Sequence, residues 1–129
     1  MNPAPGFRKY PGHRVEARAS AAHVRVISQG EVIADTRAPV ELHESTGEGK
    51  KTVAPVVYYI PRQDVKMDRL QRTSHSTHCP FKGDASYYSL KGGAENAVWS
   101  YEAPYDEMAA IKDHLAFYPD KVDSIEASR

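Results

Sequence analysis

The sequence has little cysteine and no excess of charge of either sign. One cysteine occurs among 129 residues, which excludes an internal disulfide and a zinc site built from several cysteines. Lysine plus arginine and aspartate plus glutamate both total 17, so no net basic field exists to attract nucleic acid or anionic lipid. No apolar run approaches the roughly 18 residues of a membrane span. We therefore expect a protein without nucleic-acid or membrane partners.

The chain also lacks the apolar stretch of a signal peptide, since residues 1–13 are rich in proline and glycine. We interpret these residues as an arm that docks through Phe7 and Tyr10. The length fits a single domain that can bury a core, which we place at 14–123 and follow with a frayed tail at 124–129. Together these features predict a soluble, single-domain protein of the cytoplasm.

Most of the chain shows the composition and period-two patterning of β-strands. The predicted strands are 14–19, 23–28, 31–36, 39–44, 55–60, 85–90, 96–101 and 114–119. Glycine at Gln29-Gly30 and in the connection 91–93 favours two hairpins. In contrast, the stretch 61–80 has no clean period, and we interpret it as a long ordered loop of the kind that is commonly functional.

One short helix is predicted near 106–113. Met108, Ile111 and Leu115 recur on one helical face, and Asp106 stands at the N-cap position. With about eight short strands and this single helix, the fold class is mainly β, a compact antiparallel domain with one short helix near the C-terminus.

The stretch RTSHSTHCPFKGDASYY, residues 72–88, gathers the groups that could carry chemistry. His75, His78 and Cys79 are metal-ligand types, but His78 and Cys79 are adjacent, and adjacent side chains of an extended chain point in opposite directions. A structural zinc site also needs a second pair of ligands elsewhere in the sequence, which is not evident. We therefore expect no metal and no other cofactor.

Cys79 is also a candidate nucleophile or redox thiol. That role requires the thiolate, which His78 or Lys82 would favour by lowering the pKa of the thiol. The alternative is that Cys79 is a small buried apolar residue, as lone cysteines more often are. The sequence leaves both readings open.

The aromatic residues support a second candidate site. Trp99 and Tyr101 share one face of a strand, and Tyr59 and Tyr87 lie in other strands. These four rings either fill a core or line a small-molecule pocket. A pocket is plausible because each ring carries a polar tip that needs a partner when it is buried.

With these residues in view, the chain resembles the domain of unknown function 427 family. The matching pieces are VIADT, VELHE, YYIPRQDV, THCPFKG, ASYYSL, AVWSYEAP and LAFYPDKVD, in that order. The motif positions are Glu44, Tyr59, Pro61, Asp64, Thr77, Cys79, Pro80, Lys82, Gly83, Tyr87, Trp99, Tyr101 and Tyr118.

The resemblance implies a tent-like, two-sheet architecture similar to that of the Mss4-like group. Some proteins of that group hold zinc between paired Cys-x-x-Cys knuckles, and a lone cysteine cannot supply these. The family is also labelled nucleotidyltransferase-like. The paired acidic residues with which such an enzyme holds magnesium are not recognisable in this sequence.

Three hypotheses about function follow. The first is a domain that binds a small polar molecule in an aromatic cleft beside CPFKG, with the ligand-binding residues Glu44, Tyr59, Arg62, Asp64, His78, Tyr87, Trp99 and Tyr101. The second is an enzyme whose catalytic residues are Cys79, Lys82 and Glu44. The third is a protein-interaction module that uses an exposed edge of the sheet.

Overall fold

The computed structural model describes residues 2–47 and 51–128, which form three antiparallel sheets. In the first sheet, β4 (Val40–Thr46) pairs along one edge with β1 (Arg14–Ala19). Its other edge pairs with the short strands β5 (Lys51–Thr52) and β6 (Val57–Tyr59). The mainly β, antiparallel fold class is therefore confirmed.

The second sheet has the strand order β10-β9-β8-β7. Its members are β7 (Leu70–Cys79), β8 (Gly83–Leu90), β9 (Val98–Tyr101) and β10 (Ala116–Phe117). The third sheet has the order β11-β2-β3, with β2 (His23–Ser28), β3 (Glu31–Thr36) and β11 (Ser124–Ser128). Short helices lie at Gly6–Lys9, Arg62–Asp64, Met67–Arg69, Asp106–Ile111 and Pro119–Lys121, and all but the first are 3-10 helices.

The hairpin predicted at Gln29-Gly30 is present between β2 and β3. Both turn residues have left-handed backbone conformations, with φ of 54° at Gln29 and 75° at Gly30. Two consecutive positive φ values match the right-handed twist of the flanking strands, which is why this two-residue turn joins them.

Three details differ from the sequence-based prediction. There are three sheets rather than two in the described part of the chain. The stretch 61–80 is not a loop throughout, because Leu70–Cys79 forms the edge strand β7, whose mostly exposed side chains leave no apolar alternation to recognise. The tail is not frayed, because Ser124–Ser128 pairs with β2.

The predicted helix appears as the 3-10 helix Asp106–Ile111, with Tyr105 at the N-cap. Asp106 is the first residue of the helix rather than its cap, and its carboxylate accepts a hydrogen bond of 2.7 Å from the backbone N–H of Asn2. Met108 and Ile111 are buried beneath the helix as the apolar spacing predicts. No helix in the described residues is long and apolar enough to cross a membrane.

Alternation along the central strand β8 creates two cores. Tyr88 packs into a core with residues of β2 and β3, including Val24 and Val26. Tyr87, its neighbour, points the other way and packs into a core with Leu42 of β4 and Tyr59 of β6. Because successive side chains of a strand point to opposite faces, the tyrosine pair divides the molecule into two sides. The second core contains most of the candidate site.

Candidate functional site

Strand register brings the predicted aromatic residues together. Tyr87 of β8 lies opposite Trp99 of β9, and Tyr101 is two residues further along the same face. Tyr59 enters from β6, and its hydroxyl accepts a hydrogen bond of 3.1 Å from the indole N–H of Trp99. The ring centroid of Tyr59 lies 6.2 Å from that of Trp99 and 6.4 Å from that of Tyr101. The four rings therefore form one cluster.

A fifth ring belongs to the cluster, although our prediction of ligand-binding residues omitted it. Tyr118 follows β10, and its ring centroid lies 4.5 Å from that of Trp99. Burial and an interaction between its hydroxyl and that of Tyr87 raise the pKa of Tyr118 to about 12. The signal was present in the sequence, because Tyr118 is one of the positions shared with the resembling family. We call Tyr59, Tyr87, Trp99, Tyr101 and Tyr118 the aromatic cluster.

Burial keeps the innermost phenols of this cluster protonated. It is the main reason that the pKa values of Tyr59 and Tyr101 lie well above the ordinary value for tyrosine. The hydrogen bond from Trp99 opposes the shift at Tyr59, whereas nearby Cys79 adds to it at both residues. A protonated phenol can donate or accept a hydrogen bond but is not a base, so neither group can remove a proton from a neighbour at neutral pH.

Cys79 lies beside the aromatic cluster at the end of β7. It is half-buried and packs against the same core as Tyr59 and Tyr101. His78 points outward instead, where its Nδ1 lies 2.7 Å from a carboxylate oxygen of Asp84 and its ring meets that of Tyr105 edge-on. The opposite orientations of His78 and Cys79 are those expected for adjacent residues of a strand. Within residues 2–47 and 51–128, no group of three or more His, Cys, Asp or Glu side chains is placed to hold a metal ion.

A group of charged side chains around Glu44 lies near the aromatic cluster. Glu44 shares a face of β4 with Val40 and Leu42, so its side chain is directed along the core side of the sheet. One carboxylate oxygen lies 3.5 Å from the ammonium of Lys82, and the other lies 2.9 Å from Nε2 of His13. The side chains of all three residues are largely shielded from solvent. The structure thus joins Glu44 and Lys82, and it adds His13, which no sequence motif marked.

Besides His78, which points outward, two other predicted ligand-binding residues lie away from the cluster. The guanidinium of Arg62 donates a hydrogen bond of 3.3 Å to the hydroxyl of Tyr88 and sits 5.7 Å from the centre of that ring. Asp64 accepts a hydrogen bond of 2.8 Å from the hydroxyl of Thr36. Tyr88 lies on the opposite face of β8 from Tyr87, so Arg62 belongs to the other core, and Asp64 is fixed to β3.

The arm packs on the loop that connects β7 and β8. The backbone N–H of Gly6 donates a hydrogen bond of 2.9 Å to the carbonyl of Pro80. Phe81, which follows, is surrounded by rings whose centroids lie 4.5 Å away for His13, 5.1 Å for Phe7 and 6.0 Å for Tyr10. The CPFKG stretch therefore anchors the arm through Phe81 while presenting Lys82 to Glu44.

Adding a methyl group at Gly6 should release this arm. A Cβ there would lie 2.7 Å from the Phe81 ring and 2.9 Å from the Pro80 carbonyl, both of which are rigid neighbours. Overpacking of this kind costs about 1–3 kcal/mol, so we expect Gly6→Ala to speed tryptic cleavage after Arg8 or Lys9 by about tenfold. Gly12→Ala is the matched control, because a Cβ at Gly12 meets nothing within 4 Å. Equal cleavage of the two variants would contradict the docking.

A groove opens on the outer side of the aromatic cluster, with a volume of about 460 Å³. Its walls come from the segment 54–58, from Trp99 of β9 and from the chain around Tyr118. The other lining residues are Val26, Ile60, Phe117, Pro119 and Ile125. One side of Trp99 thus faces the groove while its indole N–H is bonded to Tyr59 within the cluster. Of the aromatic cluster, Trp99 and Tyr118 line this groove, and we call the groove with these two residues the cleft.

The architecture is that of a mainly β domain with an aromatic cluster against which a half-buried thiol packs. Residues 16–128 match the family model described as a domain of unknown function, DUF427. Because this match covers most of the chain, the protein belongs to the DUF427 family. No curated protein matches the chain significantly.

Proposed function

We propose that this protein binds a small molecule with a polar head in the cleft. The observation that carries the proposal is the arrangement of four phenols around one indole. Buried tyrosine hydroxyls usually find partners in the surrounding protein. Beyond the effect of burial, the phenols of Tyr59, Tyr87 and Tyr118 help to raise the pKa of Tyr101, and that of Tyr87 helps to raise the pKa of Tyr118, which indicates that their polar tips share one small region.

The groove supports the same proposal by its size and lining. Ligand pockets are commonly about 300–1,000 Å³ and mostly apolar, with a few polar groups that fix orientation. The groove falls in this range at about 460 Å³. Trp99 and Tyr118 both line the groove, so a ligand lying on the indole would have its apolar body in the groove and its polar head near the hydroxyl of Tyr118.

The enzyme hypothesis receives less support from the same contacts. A cysteine nucleophile needs a cation or a base that stabilises the thiolate. The ammonium of Lys82 is directed to Glu44, and His78 points away toward Asp84. The two buried phenols beside Cys79 are protonated and cannot accept its proton. We therefore assign Cys79 a packing role against the aromatic cluster, in a protein that we place in the cytoplasm without nucleic-acid partners.

The proposal predicts that Trp99→Phe separates ligand binding from folding. Phenylalanine keeps an aromatic ring in the core but removes the indole N–H and part of the ring that lines the groove. We expect the melting temperature to change little, while stabilisation by a bound ligand disappears. The ligand is sought by native mass spectrometry of the protein purified from cells, followed by thermal denaturation of both proteins with the released compound.

Phe7→Leu serves as the control for that experiment, since Phe7 contacts Phe81 outside the cleft. Its ligand-induced stabilisation should equal that of the parent protein. Retention of the full stabilisation in Trp99→Phe would contradict the proposed site.

A further inference from the structure

We propose that Arg62 and Ser100 form a second binding site, in which a small monovalent anion accepts hydrogen bonds from the Arg62 guanidinium and the Ser100 hydroxyl. This site lies on the face of β9 opposite to that of Trp99, because successive side chains of a strand point to opposite faces. The inference therefore goes beyond the proposed function and does not rest on it. Its basis is a pair of buried polar atoms without partners, one of which belongs to a charged group without a counter-charge.

Two side-chain atoms within residues 2–47 and 51–128 are buried without a hydrogen-bond partner, Nη2 of Arg62 and Oγ of Ser100. Buried polar atoms are normally paired, and leaving one unpaired lowers the stability of the fold. The N–H groups of a guanidinium can only donate, whereas a hydroxyl can donate or accept. A single acceptor placed between the two side chains would therefore satisfy both atoms.

Strand register brings the two side chains to the same part of the sheet. Tyr88 of β8 lies opposite Val98 of β9, so Ser100, two residues beyond Val98, is its diagonal neighbour on the same face. The guanidinium of Arg62 covers that tyrosine. Its central carbon lies 5.7 Å from the ring centroid of Tyr88, and its Nη1 donates a hydrogen bond of 3.3 Å to the hydroxyl.

The charges on this face favour an anion over a water molecule. Arg72 holds the carboxylate of Glu102 with two hydrogen bonds of 2.8 Å, and these bonds are the main reason that the pKa of Glu102 is lowered. The charge of Arg62 adds to the same shift, so its guanidinium also lies near Glu102. Arg62 itself forms no ion pair in the described part of the chain, and the nearby carboxylate of Asp64 is bonded to Thr36. Two guanidinium groups thus share one carboxylate, and an anion would balance the remaining positive charge.

Burial of the two atoms limits the anion to a small one. Ser100 is 0% exposed, and Nη2 of Arg62 is shielded from solvent. Arg62 begins the three-residue 3-10 helix Arg62–Asp64, which is fixed to β3 beyond its far end by a bridge between Val65 and Ala34. A chloride or formate ion can be enclosed between this helix and the sheet, whereas a large organic anion cannot.

Thermal denaturation in sodium chloride, sodium formate and sodium gluconate at one ionic strength tests the site. The ionic strength is kept constant because salt also screens exposed ion pairs. Gluconate is the reference, since it is too large to be enclosed. We expect chloride or formate to raise the melting temperature saturably when it replaces gluconate, as a ligand that binds only the folded state does. A larger effect of formate identifies a carboxylate as the preferred anion, and a larger effect of chloride identifies a halide.

Ser100→Ala distinguishes an anion from a water molecule and from the absence of any occupant. With an anion bound, the substitution should lower the melting temperature in the better probe but not in gluconate, and should raise the Kd of that probe by about tenfold. An enclosed water molecule would make the loss equal in all three salts. Without an occupant, removing an unpaired hydroxyl should leave the melting temperature unchanged or raise it in every salt. Either of these last two results would overturn the inference.

Arg62→Gln removes the unbalanced charge and should abolish the saturable response to the anion. The matched controls are Arg18→Gln, which alters an exposed arginine bonded to Glu16, and Ser28→Ala, which alters a buried serine of β2. Both should keep the response of the parent protein. A full response in Arg62→Gln, or no response of the parent protein to chloride and formate, would contradict the site. The proposed function is unaffected by these results, because Trp99→Phe tests it separately.

Discussion

Between about pH 10.5 and 12, the free energy of unfolding should fall by about 3 kcal/mol per pH unit because of Tyr59 and Tyr101 alone. Both phenols have pKa values raised by burial above the ordinary value of 10. In the unfolded chain they ionise near pH 10, while in the folded protein they keep their protons. The stabilisation is therefore complete below pH 10 and is lost as the pH rises toward the folded-state pKa values.

Urea denaturation at several alkaline pH values measures this slope. Tyr101→Phe should reduce the slope by about 1.4 kcal/mol per pH unit, because it removes one phenol that ionises in the unfolded chain but keeps its proton in the folded protein. Tyr10→Phe, which alters an exposed ring of the arm, should keep the parent slope. A slope in Tyr101→Phe equal to that of the parent protein would show that the Tyr101 phenol is not buried as the structure has it.

Phe81→Ala should lower the free energy of unfolding by about 3–5 kcal/mol and release the N-terminal arm. Phe81 is 8% exposed, and the rings of Phe7, Tyr10 and His13 surround it. Its removal leaves a cavity between the arm and the loop that joins β7 to β8. The arm would also lose the surface on which His13 stacks, and with it the position from which His13 reaches Glu44.

Phe81→Leu is the matched control, because it keeps most of the apolar volume and should cost less than about 1.5 kcal/mol. Denaturant unfolding gives the two free energies, and tryptic cleavage after Arg8 or Lys9 reports on the arm. If Phe81→Ala cost no more than Phe81→Leu and cleavage stayed slow, the arm would not depend on Phe81.

The sequence predicted the elements whose signals are local. The hairpin at Gln29-Gly30 follows from a glycine turn between two alternating strands. The edge strand β7 has no such signal, since most of its side chains are exposed and its pairing with β8 is what makes it a strand. The terminal strand β11 is equally polar and depends on pairing with a strand about 100 residues earlier in the chain. Apolar periodicity alone therefore did not predict these two edge strands.

The candidate site shows the same limit at the level of single residues. Trp99 and Tyr101 were placed together because two residues of one strand separated by one position share a face. Arg62 looked equally suitable in the sequence, but it contacts Tyr88 on the far side of β8. Alternation along β8 puts Tyr87 and Tyr88 on opposite faces of the sheet. The sequence does not reveal which of these two faces the segment 62–64 covers.

His13 illustrates the opposite case, a contact that only the folded chain reveals. It belongs to an arm without strand pattern, and it meets Glu44 because Phe81 positions its ring. The arm therefore contributes His13 to the charged group that Glu44 forms with Lys82. Because this contact forms only in the folded chain, the sequence indicated Glu44 and Lys82 as site residues but not His13.

The most direct test of the cleft is the indole N–H resonance of Trp99 in a two-dimensional ¹H–¹⁵N NMR spectrum. The chain has one tryptophan, so one indole signal is expected, and its hydrogen bond to Tyr59 makes it sensitive to any group that enters between the two rings. Titration with the compound released from the purified protein should shift this signal saturably. An indole signal that stays in place while that compound moves resonances elsewhere on the surface would contradict ligand binding in the cleft.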